Sequence, residues 1–157
     1  MMPLRDDRAV STVVGYTLTL GIMTLLITGL LVAAGGFVED QRERTVRAEL
    51  QVVGQQIAAD LDVADRLARA DGTDTTVEIH SQHPERVTGA TYRVEVVDDA
   101  DDRCEFDRCL KLSTDDPEVV VTVRIGTVTT VELGSVSGGG VVVEYDAGSD
   151  TLVIDDA

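Results

Sequence analysis

The sequence predicts an α+β protein in which one long N-terminal helix is followed by an antiparallel β-sheet packed on it. Three observations support this fold class. Residues 9–38 contain no charged side chain. Residues 39–70 repeat apolar side chains every three or four positions, which is typical of an amphipathic helix. After Gly72 the apolar residues alternate with polar ones, which is typical of strands.

Shifts in composition give the domain boundaries. A charged leader at residues 1–8 (MMPLRDDR) precedes a transmembrane helix at residues 9–38. We expect the amphipathic helix over residues 39–72 and the sheet domain over residues 73–157. Aromatic residues make up only 3% of the chain and Trp is absent. The hydrophobic core must therefore consist of Val, Leu, Ile and Ala.

The charge of the chain excludes some partners. The formal net charge is −16, from 29 acidic and 13 basic residues, and Lys111 is the one lysine. Such a charge opposes electrostatic binding to nucleic acid, so we expect no nucleic-acid partner. An acidic surface that binds cations is one interpretation. The other is a solvated surface adapted to high salt, and the composition resembles that of proteins from salt-loving archaea.

The uncharged segment is long enough to span a membrane. A bilayer core takes about 20 apolar residues of helix, so membrane lipid is an expected partner. A plain uncleaved anchor fits this length. An ordinary secretory signal fits less well, because its apolar region has about 7–15 residues.

Small residues within this segment predict close helix packing. Small side chains let helix backbones approach each other in lipid. Thr17 and Gly21 are spaced to line one face, as are Gly29 and Ala33. The predicted packing positions are Gly15, Thr17, Gly21, Gly29 and Ala33.

The helix is expected to continue after a hinge at Gly35 and Gly36, because paired glycines weaken a helix locally. We expect one apolar stripe to carry the sheet; it consists of Val46, Leu50, Val53, Ile57, Leu61, Ala64 and Ala68. A homomeric coiled coil is the alternative, although sustained heptads are absent. Three acid–base pairs four residues apart suit a solvated face: Glu43–Arg47, Asp62–Arg66 and Asp65–Arg69. Gly72 suits a left-handed helix cap.

In the C-terminal domain, the alternation of apolar and polar residues predicts seven short strands joined by turns. They lie at residues 75–80, 89–97, 109–112, 118–125, 128–133, 141–145 and 151–154. The regular spacing favours an antiparallel meander packed on the helix. The segment 134–140, rich in Gly and Ser, predicts a flexible loop.

Few side chains suggest a chemical site. His80 and His83 lack a third ligand at metal-site spacing. The acidic run at residues 98–102 lacks the spaced ligands of a calcium loop, which favours a solvated turn. No nucleophile, base and orienting acid can be assembled from the remaining residues. We expect no enzymatic activity, no metal and no cofactor.

Two cysteines, Cys104 and Cys109, flank four residues. In an exported domain this pair predicts a disulfide that closes a small loop. A free thiol pair is the alternative outcome. Metal binding by two cysteines alone is disfavoured.

The junction between leader and apolar helix carries a family resemblance. The sequence DDR–AVSTVVG, residues 6–15, resembles the class III signal peptide of archaeal, including haloarchaeal, type IV pilins. In that family a prepilin peptidase cuts after a basic residue and before the apolar helix. The resemblance covers roughly residues 5–38 and implies cleavage between Arg8 and Ala9. Two positions depart from pilins: Thr12 often corresponds to Pro in archaeal members, and Val13 to Glu in bacterial ones.

The resemblance implies a pilin-like or pseudopilin-like subunit of a cell-surface filament. Its partners would be the prepilin peptidase and like or related pilin subunits, which pack through the N-terminal helix. The protein would cross the membrane once, with its C-terminal domain extracellular. Arginines on either side of the span slightly favour the reverse orientation. The alternative is an uncleaved single-pass protein whose acidic extracellular domain binds a partner.

Overall fold

A computed structural model describes residues 6–71, 76–98, 100–101 and 103–157. Within these residues helix α1 (Asp6–Asp71) precedes nine β-strands, so the α+β fold class is confirmed. The chain forms two compact units, one up to Gln41 and one from Arg42 onward. Helix α1 contributes residues to both units. The predicted cap at Gly72 lies outside the described residues.

The second unit is built around one face of α1. The predicted apolar stripe from Val46 to Ala68 is confirmed, because each of its seven side chains is at most 4% exposed. The stripe joins a single hydrophobic core with valines, leucines and isoleucines of the strands. No aromatic side chain other than Tyr92 and Tyr145 belongs to that core among the described residues. Burial of this helix face is a large favourable contribution to folding of the unit.

Gly54 lets α1 approach the sheet closely. A Cβ atom at this position would lie 2.7 Å from Cδ1 of Leu112 and 2.8 Å from Cγ2 of Val123. These distances are shorter than van der Waals contact, so a side chain here would have to displace the buried Leu112 side chain and that of Val123. Gly54 therefore leaves room for these two strand side chains against the helix backbone, despite the cost of glycine within a helix.

The strands form two sheets. In chain order they are β1 (Val77–Gln82), β2 (Arg86–Val87), β3 (Ala90–Asp98), β4 (Arg108–Asp115), β5 (Glu118–Arg124), β6 (Thr130–Val131), β7 (Ser135–Ser137), β8 (Gly140–Asp146) and β9 (Thr151–Asp156). The first sheet has the order β1-β8-β9-β6. The second has the order β2-β3-β4-β5, and β7 also pairs with β3.

The connectivity differs from the predicted meander. Strands β2 to β5 form a consecutive antiparallel run, as in a meander, but β1 pairs with β8, far along the chain. Strand β6 pairs with β9 in parallel, through Thr130↔Thr151 and Val131↔Leu152. The remaining pairings are antiparallel. Periodicity could not reveal this order, because it reports the faces of a strand and not its neighbours.

Two predicted segments were wrong in detail. The strand predicted over residues 128–133 is reduced to β6, and Val128 is 75% exposed. The backbone N–H groups of Val128 and Thr129 donate to the side chain of Asp65, not to a strand. The predicted flexible loop 134–140 contains β7, because Val136 is buried and pairs with Val94.

Gly54→Leu should lower the free energy of unfolding by about 2 kcal/mol or more, because the added side chain overpacks the helix–sheet contact. Gln55→Leu is the matched control, since Gln55 is exposed on the same helix. Thermal unfolding of the full chain in detergent, followed by circular dichroism, measures both variants. Equal stability of the two would contradict the close approach at Gly54.

Candidate functional site

The apolar part of α1 presents its side chains outward. From Val13 to Val38 the large apolar side chains are exposed, from 51% at Ile22 to 76% at Leu30. Among the described residues, α1 is the helix long and apolar enough to cross a membrane. Side chains of this kind are stable in lipid and costly in water. The segment is consistent with a single-pass membrane protein.

The threonines of this segment bond to their own helix. The hydroxyl of Thr17 donates to the carbonyl of Val13 at 2.9 Å, and that of Thr19 to Gly15 at 2.9 Å. Thr24 and Thr28 donate in the same way to the carbonyls of Leu20 and Thr24, each at 2.8 Å. Each of these polar hydrogens is therefore satisfied without water, as a lipid environment requires.

The predicted packing positions lie on an open surface. A Cβ atom at Gly15, Gly21 or Gly29 would meet no atom within 4 Å. Thr17 and Gly21 line a shallow apolar depression, whose other walls are Val13, Val14, Leu18, Ile22 and Leu25. Ala33 is exposed as well. These positions have no packing partner within the described part of the single chain, and their packing role stays a prediction.

The predicted cleavage site and hinge both lie in helix α1. The backbone of Arg8 and Ala9 is helical, near the Asp6 end of α1, whereas their side chains lie outside the described part. The backbone is also helical through Gly35 and Gly36. The two compact units divide a few residues later, between Gln41 and Arg42.

Asp65 is a buried carboxylate that joins α1 to the segment before β6. Its side chain is 1% exposed. It accepts hydrogen bonds from Val128 N at 3.3 Å and Thr129 N at 3.0 Å. Arg69 Nη2 donates to the same carboxylate at 2.6 Å. The expectation that Asp65–Arg69 is a solvated pair was therefore wrong for Asp65, because a non-local segment covers it.

The environment of Asp65 lowers its pKa. Burial by itself would raise the pKa of this carboxyl, since it disfavours the charged form. The hydrogen bonds from Thr129, Arg69 and Val128 outweigh burial and lower the pKa from 3.8 to about 2. The carboxylate therefore stays ionised and holds the loop against the helix.

Of the other two predicted helical ion pairs, one is present among the described residues and one is not. Arg66 donates to Asp62 on the solvent side of α1. Glu43 and Arg47 form no ion pair within the described residues. Exposed pairs of this kind contribute a few tenths of a kcal/mol at most, about 0.3–0.5 in helices, so neither affects the fold strongly.

Cys104 and Cys109 are joined by a disulfide, with Cα atoms 5.8 Å apart. Both side chains are buried. The loop between them carries Phe106, and the guanidinium carbon of Arg124 lies 4.7 Å from the centre of its ring. The bridge thus fixes a small loop beside the end of β5.

The described acidic side chains near residues 98–102 are engaged within the protein. Asp98 accepts from Ala100 N at 3.1 Å and pairs with Arg108 at 3.5 Å. Asp101 accepts from Lys111 Nζ at 3.0 Å, and that lysine also reaches Glu95 at 3.4 Å. Asp99 and Asp102 lie outside the described residues. The described members of the run thus act as turn and ion-pair groups.

The two histidines face different partners. His80 Nε2 lies 2.8 Å from Glu78 Oε1, and His83 Nε2 lies 3.1 Å from the hydroxyl of Ser81. Burial lowers the pKa of His83, and the nearby Asp60 opposes this shift. Within the part of the chain that the structure describes, no three His, Cys, Asp or Glu side chains form a group that could hold a metal ion.

The chain belongs to a family of unknown function, DUF7266, whose model matches residues 5–155. Comparison with curated proteins and with solved structures gave no match. The family match covers the apolar segment as well as the sheet domain. Helix and sheets are therefore parts of one family unit.

Asp65→Asn should destabilise the second unit at neutral pH by about 2 kcal/mol, the equivalent of the pKa shift. Because the folded pKa lies below the ordinary value, the contribution of Asp65 is complete above about pH 4 and is lost as the pH falls through about 2. The stability difference between wild type and variant should therefore shrink over that range. Denaturant unfolding at several pH values measures it, with Asp62→Asn as the control. A difference that does not change with pH would contradict the role given to this carboxylate.

Proposed function

We propose that this protein is a type IV pilin-like or pseudopilin-like structural subunit of a cell-surface filament. A prepilin peptidase matures it by cutting between Arg8 and Ala9. Before assembly the apolar segment holds the subunit in the membrane, with the sheet domain outside. After assembly the same segment packs against neighbouring subunits in the filament core.

The observation that carries this proposal is the junction DDR–AVSTVVG followed directly by an uncharged helix. A charged leader that ends in Arg8 supplies the basic residue before the cut. The helix beyond it continues to Asp71 and supplies one face of the core of the second unit. An anchor alone requires only the length of the apolar run. Neither the basic junction nor the scattered small residues is needed for anchoring.

The surface of the apolar segment supports both states of the subunit. Its large side chains are exposed and its threonine hydroxyls bond internally, so the helix is stable when surrounded by lipid. Its glycines have open space around them, so a second helix can approach the backbone closely. The same surface therefore suits a bilayer first and a helix bundle later.

The location of the cleavage site near the first turn of α1 is compatible with proteolysis. A peptidase requires an extended backbone at the bond it cuts, and the terminal turns of a helix open at low cost. A bond in the middle of the apolar run would require many more helix hydrogen bonds to break. The Arg8–Ala9 bond is within three residues of Asp6, where the described helix begins.

Mass spectrometry of the protein from its native membrane should find Ala9 as the first residue. Arg8→Glu should make the larger, uncut form accumulate, because the basic residue before the cut is lost. Arg5→Glu is the matched control, with the same charge change away from the junction. An N-terminus at Met1 or Met2, or one at Gly35, would exclude this maturation and favour an uncleaved anchor or a different cut.

Gly21→Leu should abolish filament assembly while leaving cleavage intact, because a large side chain would fill the depression beside Thr17 and keep helices apart. Thr19→Leu is the control, since it places the same leucine side chain outside the predicted packing positions. Electron microscopy of surface filaments and immunoblotting of the mature subunit give the two readouts. Normal filaments from the Gly21→Leu variant would contradict packing through this face.

A further inference from the structure

Strand β5 leaves one edge of the second sheet open. It pairs with β4 along its whole length, from Asp115↔Glu118 to Cys109↔Arg124. Within the described residues, no other strand pairs with it. On the side away from β4, every second residue therefore points its backbone N–H and C=O outward in the plane of the sheet. These groups can form hydrogen bonds with another strand.

The composition of β5 lacks the usual protection of an edge strand. Its five inner residues are Val119, Val120, Val121, Thr122 and Val123. Edge strands commonly avoid association through inner charges, proline or bulges, and none of these interrupts the seven residues of β5. All of the inner residues except Val119 remain half-buried. The open edge is thus both hydrogen-bonding and apolar.

The charges of β5 lie at its two ends and are opposite. Glu118 and Arg124 are both exposed. Glu118 forms no ion pair with any other described residue. Since even-numbered residues share one face of a strand, both charges project on the same side of the sheet. The opposite side carries Val119, Val121 and Val123, which face the core.

This arrangement is self-complementary about Val121. If a second β5 runs antiparallel beside the first, with a two-fold axis at Val121, Glu118 of each copy faces Arg124 of the other. In the same register Val119 faces Val123, and Val120 faces Thr122. Opposite charges and β-branched pairs directly across two strands are both favourable.

We propose that β5 is a homotypic interaction surface, through which two copies of this chain pair edge to edge in an antiparallel, continuous sheet. A two-fold contact of this kind is isologous, because the same patch serves both copies. The charge complementarity commits the edge to a second copy of this chain, since an unrelated strand would need matching charges of its own. The proposal does not depend on cleavage at Arg8 or on filament assembly.

The edge of the first sheet offers a contrast. Strand β1 also lies at the end of its sheet order. It carries Glu78 and His80, which pair with each other at 2.8 Å on its own surface. A second β1 placed antiparallel about Ile79 would bring Glu78 of each copy opposite His80 of the other, but these two side chains already contact each other within one chain. The acid of β1 thus already has a partner on its own strand, whereas Glu118 of β5 has no ion-pair partner among the described residues.

A single cysteine at the two-fold axis tests the register. The native cysteines are joined to each other, so Val121→Cys introduces one free thiol. In the proposed pair the two Cys side chains lie directly opposite, about 4.5–5.5 Å apart at Cβ, and mild oxidation of the full chain in detergent should give a covalent dimer. Glu78→Cys on β1 is the control and should remain monomeric. Absence of the Val121→Cys dimer, an equal yield from Glu78→Cys, or a cross-link to a different protein would overturn the proposal.

Charge reversal tests the complementarity. Arg124→Glu should weaken dimerisation by about tenfold or more, because like charges then oppose each other at both ends of the interface. Glu118→Arg should have the same effect. The double variant Glu118→Arg/Arg124→Glu should restore the dimer, although it also removes the contact of Arg124 with Phe106. Sedimentation equilibrium of the full chain in detergent measures the dissociation constants. Unchanged dimerisation in the single variants, or no recovery in the double variant, would overturn the proposed pairing.

Discussion

The fold of the second unit depends on the burial of one helix face against two sheets. Seven apolar side chains of α1, spaced three or four residues apart, are almost fully removed from water. The strands supply mainly valine and leucine on the opposite side of this core. With few aromatic side chains available, a close approach is needed to exclude water. Gly54 permits that approach by leaving space for Leu112 and Val123.

Asp65 determines where the loop before β6 crosses this apolar contact. Hydrophobic packing is not directional, so it does not by itself determine where a loop crosses the helix. The Asp65 carboxylate accepts hydrogen bonds from two backbone N–H groups of the loop and from the guanidinium of Arg69. A buried charge is costly unless it is hydrogen-bonded in this way. The same bonds engage the backbone of Val128 and Thr129, so β6 begins only at Thr130.

The two parts of α1 satisfy opposite solvent requirements. The first part exposes large apolar side chains and bonds its threonine hydroxyls internally. The second part buries one apolar stripe and presents charged groups elsewhere. A single-pass membrane protein built on one such helix requires both, because the helix must be stable in lipid and must also support a folded domain. The negative charge of the chain does not affect the first part of α1, since the apolar segment carries no charge.

The sequence by itself determined the helix, its uncharged segment and its buried stripe, because charge and periodicity are local properties. It also located most strands, through alternation of valines with polar residues. Only the tertiary structure decided the strand order, the parallel pairing of β6 with β9, the burial of Asp65 and the role of Gly54. Each of these depends on residues far apart in the chain, and no local pattern records such contacts. The open edge of β5 belongs to the same group, because an edge is defined by the absence of a neighbour and not by the strand itself.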